Sequence, residues 1–153
     1  MKNAFLLFAL LISSVSFSQS VVGKYKLKYT CYKNDTVEAA DTNATKTFSY
    51  KVAKGQHPEM TQADSAGNVA MVMFGIALFE QLTLNMKDNG EYWLIGFMGD
   101  ADGYKNGTYK VKKGVLTVTT KSGKEEVYSI ETVRGHQYIT RSKNGLSYMF
   151  ELQ

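Results

Sequence analysis

One cysteine stands in 153 residues, so no internal disulfide can staple this chain and the fold must rest on its core alone. That residue, Cys31, alternates with Tyr25, Leu27 and Tyr29, where it is expected to act as a small buried hydrophobe. Histidine is nearly as scarce. His57 and His136 are the only two, neither has a metal-ligand spacing, and no metal is expected. No G-x-S-x-G elbow, phosphate-binding glycine loop or paired cysteine and histidine signature occurs. With few convergent polar groups the chain does not read as an enzyme, and no cofactor is expected. The stretch "GDADG" at 99–103 opens like a calcium loop. From Asp100, however, the sixth position is Lys105 and no glutamate fills the twelfth, so a hairpin turn is expected instead. Glu91, Glu125 and Glu126 stand at strand starts and read as solvated edge charges.

Clustered charge is missing too. The formal net charge is +4, but Lys24, Lys26 and Lys28 fall on every second residue, as do Lys110 and Lys112. That is the spacing of a solvated strand face, not of a basic patch, and it excludes nucleic acid as a partner. Arginine occurs only at 134 and 141. Long apolar runs are absent. The two stretches that stand out, Ala4 to Ile12 and Val69 to Phe79, fall well short of the roughly twenty residues a membrane-spanning helix needs. No stable membrane insertion is expected.

What is present begins with "MKNAFLLFALLISSVSFSQS", a lysine, an apolar run and small residues at Ser16 and Ser18. This pattern is that of a secretory signal peptide over residues 1–18. It implies an exported protein, periplasmic or secreted, with one domain over 19–153 and a formal charge lowered to +3 by the loss of Lys2. Two triplets, Asp35-Thr36-Val37 and Asp64-Ser65-Ala66, look like acceptors for O-glycosylation in some Gram-negative envelopes and would mark loops.

From Leu82 onward glycine-containing turns recur at short distances: "KDNG", "GDADGYKNG", "KKG", "KSGK", "RGH" and "KNG". Runs rich in Tyr, Val, Ile, Thr and Phe separate them, the pattern of consecutive antiparallel hairpins. Strands are expected at 81–87, 90–98, 106–112, 115–120, 126–133, 137–142 and 146–152. Upstream, "GKYKLKYTCY" alternates, with Tyr25, Leu27, Tyr29 and Cys31 on one face. "KTFSYKV" at 46–52 alternates as well and is read as a strand, with loop before it. One helix is expected from Thr61 or Asp64 to Glu80. A sequential sheet of this size removes its two edges by closing on itself. The fold class is therefore all-β, an up-and-down antiparallel barrel of eight to nine strands with one apolar helix inserted before the main meander.

In "VGKYKL", "LTLNMKDNGEY", "NGTYKVKKGVLTV" and "YSIETVRGHQYIT" the chain resembles the lipocalin-like (calycin) proteins that Gram-negative bacteria export. The resemblance covers nearly all of 19–153 and lies in strand and turn pattern. Where lipocalins carry Gly-x-Trp the chain has Gly23-Lys24-Tyr25. Where similar fatty-acid-binding barrels carry Arg-x-Tyr it has Arg141-Ser142-Lys143. A helical segment after the first strand is similar to the lid of those barrels.

The candidate site is the barrel interior with that lid. The residues expected to line it are Tyr25, Leu27, Tyr29, Tyr92, Tyr109, Tyr128, Tyr138, Arg141, Tyr148 and Phe150 from strands, with Met71, Phe74 and Leu78 from the helix. Buried phenols need hydrogen-bond partners, and Arg141 could pair a ligand carboxylate. Two readings remain open. A hollow barrel would bind a small hydrophobic or amphipathic molecule, whereas a filled one would act through its surface, as a cell-envelope accessory or an inhibitor or immunity-type partner; a monomer is expected in either case. The apolar arc of the helix, about 200° wide, exceeds what a surface helix needs. It is expected to pack on Trp93, Ile95 and Phe97, or to roll over the mouth toward Tyr25.

Overall fold

The computed structural model describes residues 20–96, 102–143 and 145–153. The leader read at 1–18 and residue Phe97 lie outside them. Among the described residues the chain forms β1 (Gly23–Tyr32), β2 (Asp35–Glu38), α1 (Thr42–Gln56), α2 (Gln62–Gln81), β3 (Thr83–Met86) and β4 (Glu91–Ile95). It continues with β5 (Tyr104–Lys112), β6 (Val115–Thr120), β7 (Glu125–Val133), β8 (His136–Lys143) and β9 (Leu146–Leu152). Local turn chemistry sets the meander. Lys113 and Gly114, and again Arg134 and Gly135, are two-residue loops with φ between 51° and 84° at all four positions, the backbone that matches strand twist in a tight hairpin. Strands β3 to β9 pair in sequence and β1 pairs with β9, which closes an eight-stranded antiparallel barrel. β2 extends the β1 edge beyond the point where β3 leaves it: Lys26 opposes Thr83, and Tyr29 to Tyr32 oppose Glu38 to Asp35.

β1 changes face partway along. Leu27 opposes Phe150, yet Tyr29 opposes Met149, so Lys28 is an extra residue and the alternation shifts by one. Tyr25, Leu27, Thr30 and Tyr32 are buried inside, while Tyr29 and Cys31 turn to the outer wall. Cys31 is half-buried there, its thiol 3.6 Å from the sulfur of Met149. The barrel centre is filled by Tyr25, Met86, Leu116, Val118, Ile139 and Phe150, all essentially inaccessible. Its far end is closed by buried Val21. Beside it Tyr25 Oη donates to Gln137 Oε1 (2.6 Å), whose Nε2 donates to the Ser20 carbonyl (3.1 Å).

The expected strand at 46–52 is instead part of α1. Asp41 caps it, accepting from the Ala44 amide at 2.9 Å. Thr45, Phe48, Ser49, Val52 and Ala53 are its buried residues, a helical spacing that leaves Tyr50 outside. The expected loop before it contains β2. α2 matches the expected helix, with Thr61 Oγ1 accepting from the Asp64 amide (3.3 Å) and donating to its carboxylate (2.6 Å). The two glycosylation-like triplets therefore lie in β2 and in the first turn of α2 rather than in loops. α2 packs on α1 and reaches β1, with Ile76 buried and the Phe79 ring 4.6 Å from that of Tyr148 and 6.0 Å from that of Phe150. Trp93 has a local cover in place of the expected helix. The Lys87 ammonium lies 3.6 Å from its ring centroid and its Nε1 donates to Glu91 (3.0 Å). Phe74 is 65% exposed. No helix among the described residues is long and apolar enough to cross a membrane.

Candidate functional site

The helix pair does not seal the near mouth of the barrel. Between them lies a cleft of about 440 Å³, within the size range of small-molecule sites. α1 and its end contribute Val52, Ala53, Gln56 and His57. α2 contributes Asn68, Met71, Val72, Gly75 and Phe79, and the β8–β9 rim contributes Arg141, Lys143, Leu146 and Tyr148. The helices present 71, 72, 75 and 79 together because these are three or four residues apart. Gly75 keeps the wall low there. A Cβ placed on it would come no nearer than 3.9 Å, to the Tyr148 hydroxyl.

The polar end of the cleft is built from strands paired in the barrel. Val118 opposes Glu126 and Arg141 opposes Tyr148, so Glu126, Arg141 and Tyr148 all project inward. Arg141 Nη2 donates to Glu126 Oε1 at 2.7 Å, with the side chains only 19% and 15% exposed. Glu126 also accepts from the Tyr128 hydroxyl (3.2 Å) and pairs with Lys124 (3.3 Å). It is thus no solvated edge charge but the centre of a buried polar cluster. Burial pushes the Tyr128 phenol up, against the opposing pull of Arg141. Burial likewise raises Tyr92, whose hydroxyl shares the space with Tyr128 and Glu126, and Tyr148. These phenols stay neutral and act as hydrogen-bonding groups at any physiological pH. Glu126 supports Arg141 without itself being one of the described residues of the cleft wall; Glu59 approaches His57 Nδ1 at 3.7 Å. Among the described residues no three His, Cys, Asp or Glu side chains converge into a metal-holding group.

Of the residues named from sequence, Met71, Arg141 and Tyr148 come together in this cleft. Tyr25, Leu27, Tyr92, Tyr128 and Phe150 are interior packing, and Tyr109 projects toward the far end, where its hydroxyl donates to the Lys87 carbonyl (2.7 Å). Leu78 is half-buried on α2 and Phe74 faces outward. Tyr29 and Tyr138 are on the outer wall, ring centroids 6.3 Å apart. The register explains both: Tyr138 opposes Glu151 while its inward neighbour Ile139 opposes Phe150. The α1 side of the cleft escaped the sequence reading. The signal was there, in an Asp41 cap before a 45, 48, 49, 52 spacing.

The closed eight-stranded antiparallel barrel fits a lipocalin-like fold. Compared with known proteins, the chain matches no protein-family model and no curated protein sequence. A crystal structure of an uncharacterized protein from Bacteroides eggerthii DSM 20697 is similar at a TM-score of 0.46 and 10% identity, over 88% of this chain and 100% of that one.

Proposed function

We propose that this chain is an exported lipocalin-like (calycin) protein that binds a small amphipathic molecule. The site is the cleft between the helix pair and the barrel mouth, not the filled barrel centre. The observation that carries this reading is the composition of the cleft wall. Val52, Val72, Phe79 and Leu146 offer an apolar surface, and Arg141, Lys143 and His57 stand at its polar side, with Glu126 paired to Arg141 but outside the described cleft wall. A tail and an anionic or strongly polar head fit such a wall. Met71, 71% exposed at the rim, is a flexible side chain that can repack around different shapes. The leader at 1–18 supports export, to the periplasm or beyond. Mass spectrometry of an organic extract from natively purified protein tests the reading. A co-purified amphiphile that disappears in Gly75→Leu, which fills the cleft, supports it, and one retained equally by that variant sinks it.

A second reading has its own observation. Met71, Phe74 and Tyr50 are all more than half exposed, an apolar surface that suits an envelope protein partner. A pull-down that loses its partner in Phe74→Ser and keeps it in Gly75→Leu favours this reading.

A further inference from the structure

A smaller cavity of about 240 Å³ adjoins the cleft at the β7–β8 rim, and Arg141 and Lys143 line both. Lys124, Glu125 and Glu126 line the smaller one as well. A ligand with its tail in the cleft can therefore extend a head past Arg141 into a space with three cations and two carboxylates, which is positive by one charge. The nature of that head is restricted by Glu126. Its carboxylate already receives Arg141 at 2.7 Å, Lys124 at 3.3 Å and the Tyr128 hydroxyl at 3.2 Å. A carboxylate head would compete with an internal carboxylate that the chain itself holds in place, and would gain nothing in charge by replacing it. Lys143 makes no ion pair among the described residues, so cationic capacity remains beside the Glu126 cluster.

Building on the cleft reading, we propose that the ligand is a phosphate monoester amphiphile, its head seated over Lys124, Arg141 and Lys143. A phosphate monoester carries nearly two negative charges and three acceptor oxygens at neutral pH. It can bridge several donors, and its net attraction to this positive site is close to double that of a carboxylate.

Calorimetric titration of the full chain with decyl phosphate, decanoate, decanol and inorganic phosphate, each below its micelle concentration, tests this. Decyl phosphate is expected to bind about tenfold more tightly than decanoate, as its extra charge implies. The paired change Lys124→Ala and Lys143→Ala should bring the two affinities together. Glu126→Gln removes a charge that repels the dianion about twice as strongly as the monoanion, so it should strengthen decyl phosphate more than decanoate and widen the gap, an effect that mere loosening of the site would not produce. Circular dichroism checks that the variants keep their fold. Decanoate binding as well as decyl phosphate overturns the head assignment and leaves the cleft reading standing. Inorganic phosphate matching decyl phosphate, with decanol silent, identifies a free-anion site and overturns the amphiphile. If none of the four binds, the cleft reading itself fails.

Discussion

Tyr32 packs its phenol directly against the backbone of Gly55. A Cβ on that glycine would lie 2.2 Å from the hydroxyl and 2.9 Å from two ring carbons. The buried tyrosine at the end of β1 thus holds the last turn of α1 over the barrel mouth. Glycine to alanine inside a helix ordinarily stabilises by about 0.5–1 kcal/mol. Here Gly55→Ala should instead destabilise by about 1–3 kcal/mol, the usual cost of overpacking. Thermal unfolding measures it, and in a Tyr32→Ala background the same Gly55→Ala change should carry no further penalty.

Gly75 offers the opposite case. With no atom beyond its own helix turn nearer than 3.9 Å to its notional Cβ, Gly75→Ala should raise stability by about 0.5–1 kcal/mol. A fall in unfolding midpoint would show that the α2 backbone needs glycine there for some other reason.

Arg141 and Glu126 should be energetically coupled. Removing either partner leaves the other mostly buried and short of a counter-charge, at a cost of up to about 3–5 kcal/mol for a fully buried pair. Lys124 and partial exposure reduce that. A double-mutant cycle with Arg141→Met and Glu126→Gln should return a coupling of about 1–2 kcal/mol; additive changes would mean the pair is already screened by solvent.

Two groups set opposite pH limits. Bonds from Lys105 first, then Trp93 and Asn89, hold the Glu91 carboxyl at about 2 against an ordinary 4.5. Its contribution is complete above 4.5 and is lost as pH falls toward 2. Burial pushes the Tyr25 phenol up to about 12 from 10.0. Its contribution is complete below 10 and is lost as pH rises toward 12. Carboxylate titration by NMR should show Glu91 still ionised at about pH 3. Phenol absorbance should show Tyr25 ionising only with alkaline unfolding, and a normal titration near 10 would contradict the buried geometry.

The meander was legible because each hairpin carries its own glycine turn, and α2 because no strand could accommodate its unbroken apolar arc. α1 was not, since Phe48, Tyr50 and Val52 satisfy strand alternation while Thr45, Phe48, Ser49 and Val52 satisfy a helix. The Asp41 cap and the packing on α2 resolve that ambiguity. The inward orientation of Arg141 and Tyr148 was legible from strand parity, and the two do line the cleft. The partnership of Arg141 with Glu126 depends on the pairing of strands around the barrel, which no local pattern displays. That is also why Glu126 looked like a solvent charge.

The extra residue at Lys28 gives β1 two successive phases along a single strand. Its carbonyl is taken by the Ala39 amide at 2.9 Å, so the connection leading into α1 locks the shift in place. Ironing out the bulge with Lys28 retained would act as a frameshift in space. Tyr29 and Cys31 would enter the barrel, Thr30 and Tyr32 would leave it, and α1 would lose its hold on Tyr32. A relative whose first strand has the same length but pairs without the bulge should therefore lack the α1 side of the cleft, even if every later strand aligns.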